Sequence, residues 1–246
     1  MYIYSRINTV FHCFRIFILS IFIKEGEPVG LDIRILYRDP SLLVCEKPVG
    51  ISSESPGLPD LVSAQIGETV RPVHRLDQGT GGAIILALSP EIGALMQVFL
   101  QQNMIRKEYL AVVSGCPDPE NGTWTDLLWH DRNRNKTFVV KRMRKGVREA
   151  ICDWTVLDSV PWNNGILTLV RVVLHTGRTH QIRIQFGSRG FPLAGDRKYG
   201  SRIASDTVAL WSSGISFPHP DQRKGGVSVT SSPPSVFPWN LFPIPG

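Results

Sequence analysis

Six apolar residues in a row, Ala83 to Leu88, follow directly on Gly79-Thr80-Gly81-Gly82. A run this short, with glycines before it and Ser89-Pro90 after it, fits a buried strand. It puts the residues ahead of it, His74-Arg75-Leu76-Asp77-Gln78, on a turn at the mouth of a rigid element. Turns in that place hold side chains at the rim of a scaffold while the strand anchors them. Asp77, two residues after Arg75, is the carboxylate presented in this way. A lone Asp in a glycine-rich turn also serves as an Asx-turn or cap residue, so other parts of the chain must decide its role.

The elements around it are mostly strands. Ile33 to Arg38 and Leu42 to Glu46 read as two short strands about the turn Asp39-Pro40-Ser41. Lys47-Pro48-Val49-Gly50 leads into a surface loop from Ser52 to Asp60. Ser89-Pro90-Glu91 is a helix start, with Ser89 as cap, Pro90 in the first turn and Glu91 at the positive end of the dipole. Ile92, Leu95, Met96, Phe99 and Leu100 recur at helical spacing and mark the face of that helix toward the core. Lys107 to Val113, Ala150 to Asp158, Ile166 to Leu174, Thr207 to Ser212 and Gly226 to Thr230 read as further strands. A proline-rich tail follows from Pro233.

A chain of 246 residues, 42% hydrophobic and 20% charged, is large enough for one sizeable core. Its four cysteines, Cys13, Cys45, Cys116 and Cys152, are scattered and form no metal-ligand spacing with the histidines. No metal and no cofactor is expected, and the simple inference is a reducing, cytoplasmic home. The formal net charge of +6 suits a polyanionic partner. Asp131 to Arg148 carries eight basic residues and one acid, a basic hairpin or loop that can meet phosphates. Residues 1–30 stand apart. Phe11 to Ile23 is apolar but too short to span a bilayer, which takes about 20 residues. The expectation is a non-native or disordered extension, with a membrane-surface anchor as the rival, and a folded domain over 31–246.

Late in the chain, His175-Thr176-Gly177-Arg178-Thr179-His180-Gln181-Ile182-Arg183 crowds hydrogen-bonding and charged side chains at a helix start behind a strand. Thr179 looks like the cap. Helix starts attract anions, and Arg183 can grip a carboxylate with two bonds.

Four stretches in this order carry a resemblance: Lys47-Pro48-Val49-Gly50, His74-Arg75-Leu76-Asp77 with Thr80, Lys107-Glu108-Tyr109, and Gly177 to Arg183. Together they resemble the RluA-type RNA pseudouridine synthases, in a short form without an S4-like domain. Leu193-Ala194-Gly195-Asp196 with Lys198-Tyr199-Gly200, and Phe217-Pro218-His219-Pro220, are also similar to that family. The resemblance implies an α/β (α+β) fold with a mixed, largely antiparallel central sheet, flanking helices and a central catalytic cleft. It implies Asp77 as the catalytic carboxylate and Arg183 as its paired arginine. Arg75 would hold the target nucleotide out of the helix, Tyr109 would pack against the base, and Lys47 would be structural or touch RNA. One departure stands out. The family's turn usually reads Thr-Ser-Gly, and this chain has Thr80-Gly81-Gly82, which puts a local hydrogen bond in doubt.

The implied partner is structured ribosomal or transfer RNA, and the implied state a monomer with no membrane attachment. A catalytically inert RNA-binding protein of the same fold is the alternative, though it leaves Asp77, Tyr109 and Arg183 unexplained. Nucleotide-dependent and serine-hydrolase readings fail on motif. The glycine run has Ile84 where G-x-G-x-x-G needs glycine, and no P-loop or G-x-S-x-G exists.

Overall fold

The computed structural model describes residues 32–244, and of 23–24 and 27–28 the secondary structure alone. The chain divides into two units, 1–32 and 33–246. In the first, strands β1 (Ile23–Lys24) and β2 (Glu27–Pro28) pair antiparallel. The expectation of a non-native or disordered extension otherwise lies outside the described residues.

The second unit is an α/β fold built on one 11-stranded sheet. The strands are β3 (Ile35–Arg38), β4 (Leu42–Lys47), β5 (Arg71–Pro72), β6 (Gly81–Ala87), β7 (Arg106–Ser114), β8 (Asn121–Asp131), β9 (Lys136–Val140), β10 (Val147–Trp162), β11 (Gly165–Leu174), β12 (Leu210–Pro218) and β13 (Gly226–Thr230). They lie in the order β3-β4-β6-β12-β7-β11-β10-β8-β9, with β5 beside β6 and β13 beside β12. Every pairing is antiparallel except β6 with β12. Strand β6 is buried along its whole length, as its unbroken apolar run requires, because both faces of the sheet are covered there.

Strand alternation sends side chains to opposite faces, and two cores result. On one face Leu43, Cys45, Ile84, Leu86, Ala111 and Val172 meet helices α1 (Leu58–Ile66) and α3 (Gln181–Gly187). On the other, Leu42, Val44, Ile85, Ala87 and Ile215 meet helix α2 (Pro90–Gln101) through Met96. Further along that sheet Val112, Leu169 and Trp211 pack with Trp239 and Phe242. The C-terminal segment is thus a packed part of the core, where the sequence suggested only a proline-rich tail.

Other expectations need correction. Helix α1 begins inside what read as a surface loop, Ser52 to Asp60. Its signals were Pro59 in the first turn and Leu58, Val62 and Ile66 at helical spacing. Asp60 caps it by accepting from the Gly57 N–H at 2.7 Å. On α2, Ser89 Oγ accepts from Ile92 N–H as expected of a cap, but Leu95 is 36% exposed and lies outside the core. Strand β10 runs on to Trp162, so the turn before β11 shrinks to Asn163-Asn164, with Asn163 at φ 49°. Asn tolerates that left-handed backbone better than most residues.

Candidate active site

The turn carrying Asp77 is fixed from below by groups that satisfy its backbone. Val73 N–H donates to Ile85 O, extending the β5–β6 ladder by one step. There the chain leaves the sheet, and His74 Nε2 accepts the Ile85 N–H at 3.2 Å in place of a strand carbonyl. Burial, helped by the charge of Lys107, pushes the His74 pKa down to about 3, which keeps that nitrogen free to accept. Leu76 is buried, and Ser53 Oγ both donates to its carbonyl and accepts from its N–H. The Thr80 N–H then closes the turn on the Asp77 carbonyl at 2.9 Å.

Lys47 is completely buried at the end of β4. Its ammonium donates to the carbonyls of Pro48, Ile51 and Gln78 at 2.9, 2.8 and 3.4 Å. Burial draws its pKa down to about 8, and the nearby Asp77 charge opposes that drop. Of the two roles implied for Lys47, contact with RNA does not fit this position, because no part of the side chain reaches the surface. The geometry supports a brace that ties the 47–51 loop to the Asp77 turn.

Gly81 and Gly82 open β6 beside the start of β12. A Cβ on Gly81 would stand 2.2 Å from the Trp211 ring, and one on Gly82 would stand 2.3 Å from the Ser212 carbonyl oxygen. The departure from Thr-Ser-Gly is therefore a packing exchange. Trp211 fills the space a serine side chain would need, and it is tethered by donating Nε1 to the Ser231 carbonyl at 3.1 Å.

The register carries the site across the sheet. Lys47 faces Gly82, Gly82 faces Ser212, Ser212 faces Tyr109, and Tyr109 faces Val172. Tyr109 is buried, and burial, reinforced by the Asp77 charge, holds its phenol protonated well above the usual range. Helix α3 supplies the rest. All its residues from Gln181 to Phe186 are buried. Arg183 lies 106 residues from Asp77 in sequence, and its Nη1 donates to Asp77 Oδ2 at 3.1 Å. Its Nε and Nη2 form a fork on Asp196 at 2.6 and 2.9 Å. Burial disfavours the Arg183 charge, but the two carboxylates more than offset it and raise its pKa. The two-bond grip anticipated for Arg183 is thus made on Asp196, and Asp77 takes the remaining arm.

The cap of α3 is His180, where the sequence suggested Thr179. His180 adopts a left-handed backbone, φ 55° and ψ 24°, and makes no side-chain capping bond. Its Nε2 stands 3.7 Å from Asp77 Oδ2 and its Nδ1 is 2.9 Å from the Tyr199 hydroxyl. Burial brings its pKa down to about 4, with Asp77 pulling the other way and Arg183, Lys198 and His130 adding to the drop. Sequence reasoning gave Asp196, His180 and Tyr199 no role at the site. The signal available was that all three lie within the late motifs.

Asp77, Tyr109, His180 and Arg183 line one cleft of about 1360 Å³. Arg75 stands at its rim, 64% exposed, paired with Glu54 at 3.0 Å. Six cations line the cleft (Arg75, Lys107, Arg132, Arg178, Arg183 and Lys198) against two acids, Glu54 and Asp77. Of the expected basic segment, Asp131 to Arg148, the part up to Val140 forms the β8–β9 hairpin and the rest leads through a turn into β10, and Arg132 from the β8–β9 turn is one of those six. Of the two tryptophans on β8, Trp124 is committed to the core edge, 4.6 Å from the Phe186 ring and with the Arg189 guanidinium 4.3 Å over its own ring. Trp129 stacks on Phe138 at 6.0 Å. Among the described residues no helix is long and apolar enough to cross a membrane.

With the geometry in hand, known proteins can be set beside it. The profile of the family described as RNA pseudouridylate synthase matches residues 41–188. An uncharacterized RNA pseudouridine synthase of Aquifex aeolicus is 34% identical over 196 residues, covering 74% of this chain and 60% of the relative's length. The tRNA pseudouridine synthase C of Haemophilus influenzae is 30% identical over 213 residues, covering 76% of this chain and 88% of that protein. Among solved structures, human RNA Pseudouridylate Synthase Domain Containing 1 superposes with a TM-score of 0.72 at 20% identity, over 87% of this chain and 88% of the human one; this likeness speaks to the fold. The profile match covers more than half of the sequence and takes in both Asp77 and Arg183, and on that ground the chain belongs to the RNA pseudouridylate synthase family.

Proposed function

We propose that this chain isomerises uridine to pseudouridine in structured ribosomal or transfer RNA, working as a cytoplasmic monomer, with the Asp77 carboxylate as the catalytic group. The observation that carries the reading is the Asp77–Arg183–Asp196 chain of ion pairs at the cleft, beside the buried Tyr109. An arginine locked on one carboxylate holds a second at a fixed place without moving itself, which is the preorganisation that catalysis by charge requires.

The reaction breaks the N1–C1′ bond, turns the base and joins C5 to C1′. The C5 proton is lost and N1 gains one, so no electrons leave or enter. Asp77 serves as nucleophile at the ribose or as a base on a ribose proton. Tyr109 packs against the detached base and keeps it near C1′. Its phenol, held protonated, acts as a hydrogen-bond donor rather than a phenolate. A uridine in paired RNA must be flipped out at a cost of a few kcal/mol. Arg75, which has only an exposed partner to leave, takes the vacated space. Arg132 and Lys198, with the basic hairpin behind them, hold phosphates. Lys47 supports the Asp77 turn from beneath.

The test is pseudouridine mapping on unmodified ribosomal and transfer RNA incubated with wild type and with Asp77→Ala. New pseudouridine with the wild type alone is expected. RNA binding without new pseudouridine from either protein would move the assignment to an inert RNA-binding protein of the same fold. A version lacking residues 1–30 should match the wild type, since we place the catalytic domain in 31–246.

A further inference from the structure

The function proposed above gives His180 no part, yet among the described residues it is the one histidine paired with Asp77, and it sits in a backbone conformation that few non-glycine residues adopt. Such backbone persists where the surroundings hold it, often at functional sites. Here the surroundings are a chain of hydrogen bonds running inward from the cleft. His130 Nδ1 lies 3.1 Å from Thr137 Oγ1, and Thr137 Oγ1 donates to the Thr179 carbonyl at 2.8 Å. The Thr137 N–H donates to the Tyr199 hydroxyl oxygen at 2.8 Å. That hydroxyl has one proton of its own, and His180 Nδ1 is 2.9 Å away.

Resting on Asp77 as the catalytic group, we infer that His180 is a positioning residue for it. Tyr199 donates to Nδ1, which fixes the ring proton on Nε2, and this N–H is aimed at Asp77 Oδ2. The Arg183 arm falls on the same oxygen. Both partners of Asp77 thus collect on Oδ2, and among the described residues Oδ1 has none. Oδ1 is then the oxygen that reacts. The burial that keeps His180 neutral agrees with this, since a neutral ring carries one proton and has one nitrogen left to accept. At 3.7 Å the Nε2–Oδ2 approach is longer than a hydrogen bond. It has to shorten when RNA orders the cleft, as catalytic contacts commonly do on substrate binding.

Two measurements test this. The first is the ¹⁵N spectrum of His180 in the free protein, which reports the tautomer without any substrate. The proton is expected on Nε2 in the wild type, with the Nδ1–H form gaining population in Tyr199→Phe; a wild-type ring protonated on Nδ1 overturns the inference. The second is single-turnover pseudouridine formation on ribosomal and transfer RNA transcripts labelled at C5 with tritium, together with their binding affinity. His180→Leu removes the donor to Oδ2 and should slow the reaction by about 100-fold, the scale for losing one preorganised donor to a charged group in an active site, with affinity changed by less than about 2-fold. His180→Gln puts an amide N–H near the old Nε2 and should recover most of the rate. Equal losses in the two variants, or none in His180→Leu, overturn the inference. If His180→Leu does not fold, Tyr199→Phe takes its place, and an unchanged rate there counts against it. An Asp77→Ala protein as active as the wild type would instead remove the proposed function, and an inactive Asp77→Ala beside a fully active His180→Leu removes this inference alone.

Discussion

Restoring the side chain that Gly81 lacks is expected to break the packing between β6 and β12. In Gly81→Ser the new Cβ would lie 2.2 Å from Trp211 Cζ3, more than 1 Å short of the roughly 3.5 Å at which carbon atoms normally touch. Gly81 has no positive φ, so the cost is steric rather than conformational. The ring cannot simply turn away, because its Nε1 donates to Ser231 O at 3.1 Å and to Ser231 Oγ at 3.0 Å. Overpacking of this kind costs about 1–3 kcal/mol, and a strained or lost Nε1 bond adds about 1 kcal/mol. Stiffening of the unfolded chain returns about 0.5 kcal/mol. The expected loss is about 2–3 kcal/mol, a fall in Tm of about 5–10 °C for a chain of this size. The assay is a double-mutant cycle by urea denaturation with Trp211→Leu. In that background Gly81→Ser should cost less than about 0.5 kcal/mol, giving a coupling of about 2 kcal/mol. Additive effects would refute the exchange of serine for Trp211.

Three further outcomes follow from the same geometry. Asp196→Asn leaves buried Arg183 with a single carboxylate, and breaking a buried pair costs about 3–5 kcal/mol; the remaining bond to Asp77 places the expected loss at the lower end, and a urea-measured loss under about 1 kcal/mol would discount the fork. Stability should fall with acid between about pH 6.5 and pH 5. His180 and His74 are neutral when folded, with pKa values of about 4 and 3, while unfolded histidine sits near 6.5. The unfolded chain therefore binds more protons in that window and gains on the folded one as pH drops, so a urea midpoint that stays flat there would contradict the buried neutral rings. Finally, Arg132→Ala and Lys198→Ala should each reduce the slope of log affinity for RNA against log salt by about 1; unchanged slopes, read by filter binding from low to moderate salt, would take these two side chains off the phosphates.

The parts of the fold that were legible in sequence are those ruled by local pattern. The run Ala83 to Leu88 read as a buried strand, which β6 is over Gly81–Ala87, and Ser89-Pro90-Glu91 started its helix where capping chemistry said it should. Helix α1 was missed because its nine residues begin inside a stretch with two prolines, and its helical signal is only three apolar positions long. The C-terminal segment was misread for a related reason. Its prolines describe the backbone, whereas its place in the core depends on Trp239 and Phe242 meeting Trp211 from a distant strand. At the site, Asp77 stood out because carboxylate, arginine and glycine turn are neighbours in sequence. The fork of Arg183 on Asp196 depends on how the segment after α3 folds back. The left-handed His180 depends on a ladder through Thr137 and Tyr199. Neither leaves a periodic trace.

A common physical demand runs through these supports. The Asp77 turn leaves the sheet where β6 begins, so the backbone groups there lose their ladder partners, and buried orphans are costly. Each is taken up by a side chain: Ile85 N–H by His74, the Leu76 N–H and carbonyl by Ser53, and the carbonyls of Pro48, Ile51 and Gln78 by Lys47. A charged lysine in this position is expensive to bury, as its lowered pKa records. The expense is tolerated because an ammonium has three donors and three carbonyls converge on it. A methionine of similar size would pack as well and leave the Pro48 and Ile51 carbonyls unpaired, with the Gln78 carbonyl held by the Gly50 N–H alone. On the proposed function, the motif residues beside Asp77 act on the reaction at one remove. They hold the turn still, so that the carboxylate meets Arg183 already in place, and the proposed chemistry falls to Asp77 itself.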